Sequence, residues 1–74
     1  MSATLTSMDY RMVDVLNADQ LEEGDLIGIA EGIVKIISIT PTSEGFVLIN
    51  EDEYGERDVL EIFDNEQFEL FVLD

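Results

Sequence analysis

The chain has 74 residues, eighteen acidic and three basic, for a formal net charge of −15, with no histidine and no cysteine, yet 46% of it is hydrophobic. A disordered acidic segment would lack that apolar fraction, so the composition predicts a folded core under a strongly anionic surface. It excludes disulfides, thiolate metal sites and histidine acid–base chemistry, and it disfavours direct binding of nucleic acid or anionic membrane.

One domain is expected at this length, near the lower limit for a core without metal or disulfide. Ser2 to Ser7 are small and polar with no repeating apolar face, and residues 1–8 read as a flexible N-terminal tail that lacks the basic start and apolar stretch of a signal peptide. No run approaches the ~18 apolar residues of a membrane span. The expectation is therefore a cytoplasmic protein with its single β-domain over residues 9–74.

From Tyr10 onward, apolar runs alternate with turn residues at the spacing of an all-β sandwich or barrel. The first run is Tyr10 to Leu16. After it, Asn17 is placed to cap, Gln20 to reach back and Gly24 to terminate, which predicts one short helical turn near residues 18–23 with Leu21 as its inward anchor. The second run, Leu26 to Ala30, is separated by Glu31-Gly32 from the third, Ile33 to Thr40. In that third run Val34 and Ile36 share a face, but Ile37 and Ile39 then take the apolar role, so the phase slips after Ile36 and predicts a bulge or bend, the alternative being a strand buried on both faces. Small barrels need such bends for strands that serve two sheets.

Pro41 through Gly45 leads to the fourth run, Phe46 to Asn50. Tyr54-Gly55 precedes the fifth, Arg57 to Phe63, and Asp64-Asn65 the sixth, Gln67 to Leu73. In the last, Phe68, Leu70 and Val72 form one face, while Phe71 and Leu73 stand on the side that ought to be polar. Two readings follow: the tail or the first strand covers them, or they are an apolar contact edge for a second copy or a partner.

The segment from Asn17 to Ile27, with an Asp, a Leu two residues on, then Gly-Asp and an apolar strand, resembles the entry to the first long hairpin of small SH3-like β-barrels, including uncharacterised bacteriophage proteins. The resemblance covers that entry and the strand rhythm. It implies an SH3-like barrel of five to six antiparallel strands, and for a viral protein the host cytoplasm.

Little in the chain is equipped for catalysis. The adjacent acids lie in loops, the serines have no histidine to activate them, and no nucleophile elbow or phosphate-cradling glycine loop is present. Counting from Asn50, oxygen ligands fall at positions one, three, nine and twelve of a calcium loop with Gly55 at six, but Tyr54 breaks position five and the flanks read as strands, where the calcium loop needs helices. Gly55 is better read as the positive-φ residue of a hairpin turn. Arg11, Lys35 and Arg57 are too few and dispersed to track a nucleic acid, and each is expected to pair with an acid across strands.

The acids are denser toward the C-terminus, and Glu51, Asp52, Glu53, Glu56, Asp58, Glu61, Asp64, Glu66 and Glu69 form the candidate interaction surface. With roughly 300 Å² per net charge, against about 110 Å² on duplex DNA, mimicry of nucleic acid requires these acids to gather on one face. The expected function is a small, acidic, non-catalytic protein-interaction module without cofactor or metal, whose partner is a protein with a basic surface. The alternatives are a nucleic-acid mimic that blocks a basic protein, and a virion or assembly component that self-associates through the last strand.

Overall fold

A computed structural model describes residues 9–73, and the expected tail at 1–8 lies outside them. The described chain is all β apart from one 3-10 turn. The strands are β1 (Tyr10–Asn17), β2 (Leu26–Ile29), β3 (Gly32–Pro41), β4 (Gly45–Glu51), β5 (Arg57–Phe63) and β6 (Gln67–Leu73), with the 3-10 turn at Ala18–Gln20. They form a single antiparallel sheet in the order β1-β6-β2-β3-β4-β5.

That order and one short loop require the sheet to roll. Strands β5 and β6 are four positions apart, which in a flat sheet is about 19 Å. The three residues between Phe63 and Gln67 reach at most about 14 Å even when extended. They are not extended, since Glu66 N donates to Phe63 O at 3.1 Å and folds them into a turn. The sheet must therefore curl until the end of β5 approaches the start of β6.

Strand β3 supplies part of the curl. Its Gly32–Lys35 half pairs with β2 and its Lys35–Pro41 half with β4, and the β4 register shifts between Ile36 and Ser38. Ile37 is the extra residue, so the phase slip visible in the sequence is a bulge that turns one strand from one neighbour to the next. A second shift, between Met12 and Asp14 where β1 pairs with β6, makes Val13 the extra residue of the edge strand.

The roll does not close into a barrel: β1 and β5 are the two ends of the strand order, with no ladder between them. The 3-10 turn comes across instead. It touches β4, and Ala18 donates its N–H to Glu66 O at 3.0 Å, which ties it to the β5–β6 turn. Ala18 and Leu21 are buried with Ile27, Val34, Ile36, Leu48 and Ile62, so the inward anchor expected at Leu21 is in the core. The turn is shorter than expected, but Gln20 reaches back as predicted, its Oε1 accepting Asn17 N at 2.8 Å.

Strand β6 is an interior strand between β1 and β2, not an edge. Phe71 stands in register with Met12 on one side and Leu26 on the other, and it is half-buried. Leu73 faces Tyr10 and remains exposed. The last strand is thus not a free strand edge, and Phe71 and Leu73 stand on its outer face beside the first strand, with Leu73 exposed.

Candidate acidic surface

The hairpin joining β4 to β5 collects five of the nine candidate acids. Its turn forms because Asp52 accepts two backbone N–H groups on one carboxylate oxygen: Tyr54 N and Glu56 N each lie 2.9 Å from Oδ1. Asp52 N donates to Glu56 O at 2.9 Å, and Gly55 N donates to Asp52 O at 3.0 Å. Gly55 has φ 86°, the left-handed conformation expected of it, and the calcium-loop spacing is carried by a β-hairpin. Positions nine and twelve of that spacing, Asp58 and Glu61, lie an odd number of residues apart in one strand and so point to opposite faces of the sheet. Among the described residues no group of three acids is disposed to hold a metal ion.

Glu51 stands in register between Lys35 and Arg57, and it accepts Arg57 Nε at 3.2 Å. With the arginine side chain 59% exposed, this pair contributes about 0–1 kcal/mol and serves mainly to hold register. Glu53, Glu56 and Asp58 are exposed at the hairpin tip and the start of β5.

The remaining four candidates do not join this group. Asp64 and Glu66 lie in the turn after β5, about 20 Å from the hairpin by the length of the strand. Glu66 is occupied there, its Oε2 accepting Phe63 N at 2.7 Å. Glu61 is in mid-strand on the outer face, and Glu69 is on β6, beyond three intervening strands. One dense cluster therefore exists, at the β4–β5 hairpin, and the nine acids do not form one face.

Two open clefts flank β5. The first, of about 260 Å³, is bounded by the hairpin acids Asp52, Glu56 and Asp58, with Glu31 from the β2–β3 turn facing them and Asn50 in its wall. The second, of about 240 Å³, has Glu44 and Glu61 beside Phe46 and Phe63. Both fall below the ~300 Å³ at which ligand pockets begin.

The sequence marks Asn50 only as the first oxygen of the calcium-loop spacing and Glu31 only as a turn residue, neither as part of the acidic surface. A signal for Asn50 existed: Phe46, Leu48 and Asn50 share one parity in β4, so an amide stands where the core pattern asks for an aliphatic residue. Asn50 is 4% exposed, and its carboxamide makes no side-chain hydrogen bond among the described residues. Among the described residues no fully occluded side-chain polar atom lacks a partner, so the amide opens into the cleft. Glu31 gave no signal, because it reaches the cleft only through the roll of the sheet.

No protein family, curated protein or solved structure matches the chain. Among the described residues no helix is long and apolar enough to cross a membrane.

Proposed function

We propose that this protein acts by binding, as a small acidic interaction module for a protein with a basic surface, and that its rolled sheet is an opened form of the SH3-like barrel its N-terminal segment resembles, as in small bacteriophage accessory proteins. The observation that carries the reading is the β4–β5 hairpin: five acids against Arg57 alone between positions 51 and 58, with Glu31 facing them across a cleft. A cluster whose acids outnumber its cations, Arg57 and the neighbouring Lys35, attracts cations through its local field and rejects anions. The two clefts are too small for a typical organic ligand but wide enough for the end of a lysine or arginine side chain.

The same map weighs against nucleic-acid mimicry. The exposed surface is 4995 Å² for a net charge of −15, about 330 Å² per charge, three times sparser than duplex DNA. Along β5 the acids Asp58 and Glu61 are about 10 Å apart and on opposite faces, whereas one DNA strand carries a charge every ~3.4 Å of axis. An assembly role through the last strand has no open β6 edge to use on its β1 side, where the register runs from Tyr10 to Asn17.

The test is affinity capture from extract of the native host on the immobilised chain, eluted with a salt gradient. Basic proteins that elute early, that an oligonucleotide does not specifically displace, and that are lost from a Glu53→Gln/Glu56→Gln/Asp58→Asn variant support the reading. Partners that resist salt and are retained equally by the variant remove it.

A further inference from the structure

The two edges of the sheet are not equivalent. β1 carries the bulge at Val13, and bulges twist an edge away from new partners. β5 pairs with β4 through seven consecutive residues without a shift, and among the described residues no strand pairs with its outer side. β5 is thus the regular, open edge of the molecule.

Its free backbone groups can be assigned by parity. Asp52 N donates to Glu56 O and Asp64 N donates to Glu44 O, so hydrogen bonds lie at both ends of the same β4–β5 register. Bonded pairs in an antiparallel ladder recur every second residue. Asp58, Leu60 and Ile62 therefore bond to β4, and Val59 and Glu61 direct their N–H and C=O groups outward. The side chains alternate as well: Val59, 67% exposed, and Glu61 stand on the outer face, while Asp58 shares the inner face with Leu60 and with Asn50, its register partner.

We propose that β5 is a strand-addition site for an extended basic segment of the partner, pairing antiparallel as every pair in this sheet does. The inference rests on the acidic-module reading and specifies its mode. The occupant is fixed by charge complementarity along the edge. Opposite Glu61 and Asp58 it carries lysine or arginine, and opposite Leu60 and Val59 apolar residues, giving a basic–apolar–apolar–basic pattern. The cation opposite Asp58 enters the 260 Å³ cleft among Asp52, Glu56 and Glu31. Asn50 is one strand further in, about 10 Å from the added backbone, and this is within reach of a long basic side chain. Its carboxamide, which opens into the cleft, gives that cation an acceptor there.

The test uses the full chain and the synthetic peptide acetyl-SKLVKS-amide, followed by amide shifts and exchange. In antiparallel register the valine N–H points at β5 and the leucine N–H points away. N-methylation of the valine is expected to weaken binding about tenfold or more, and N-methylation of the leucine about twofold or less. Slowed exchange at Val59 and Glu61 accompanies binding of the unmodified peptide. Equal binding of the two methylated peptides, or binding that leaves Val59 and Glu61 exchange unchanged, overturns strand addition but leaves the acidic module standing. Failure of this peptide and of octalysine to bind at millimolar concentration overturns both.

Discussion

The ring of Phe71 occupies the space over Gly28 that a side chain would fill: its Cε1 stands 3.0 Å from where a Cβ on Gly28 would be. The two residues belong to neighbouring strands, and the missing side chain on β2 lets an aromatic on the outer face of β6 lie against the sheet. This contact, together with Met12 and Leu26 in register on either side, is why Phe71 is half-buried on a face that the alternation pattern assigns to solvent.

Valine at position 28 would push the ring outward. Gly28→Val is expected to destabilise by about 1–2 kcal/mol in urea unfolding. In a Phe71→Ala background the same change should cost less by about 0.5 kcal/mol or more. An additive double mutant would show that the two side chains do not meet.

Gly45 offers no such relief. A Cβ there would collide with the carbonyl oxygen of Ile62 and lie 2.7 Å from Phe63 Cα, both backbone atoms of β5. Gly45→Ala is expected to cost about 2 kcal/mol or more, and no side-chain substitution nearby should rescue it. Thermal melts of Gly45→Ala alone and with Phe63→Ala check this.

Asp52 closes the hairpin that carries the acidic cluster. Removing its carboxylate leaves Tyr54 N and Glu56 N without their acceptor, so Asp52→Ala is expected to lose about 1–2 kcal/mol, while Asp52→Asn keeps the turn and most of the stability. Backbone shifts of residues 52–56 distinguish a loosened turn from a merely neutralised one.

Much of the architecture could be read from local pattern. Six runs became six strands because alternation and turn residues act over a few positions, and the bulge at Ile37 showed as a slip in alternation. Strand order was not legible. Nothing local tells Gln67–Leu73 to lie between β1 and β2, and that placement decides whether Phe71 and Leu73 are an edge. The acids divided for the same reason. Glu51 to Asp58 are joined by one turn and stay together, whereas Glu61, Asp64, Glu66 and Glu69 are separated by strand length and by the roll of the sheet.

Charge repulsion sets a further expectation. With −15 net charge on one small domain, raising ionic strength screens self-repulsion and should raise the melting temperature. The triple neutralisation Glu53→Gln/Glu56→Gln/Asp58→Asn should flatten that dependence, because it dilutes the densest cluster. A wild-type melting temperature that does not move between low and physiological salt would mean that the cluster exerts little strain on the fold.

Cations are expected to be drawn to the β4–β5 hairpin rather than to acidic surface in general. Nuclear magnetic resonance titration with octalysine measures this most directly. Shifts are expected to concentrate at Glu51 to Asp58, at Glu31 and at the Asn50 side-chain amide, with affinity falling steeply from about 50 to about 200 mM salt. Shifts spread evenly over the acids of the whole chain, or centred on β1 and β6, would contradict it.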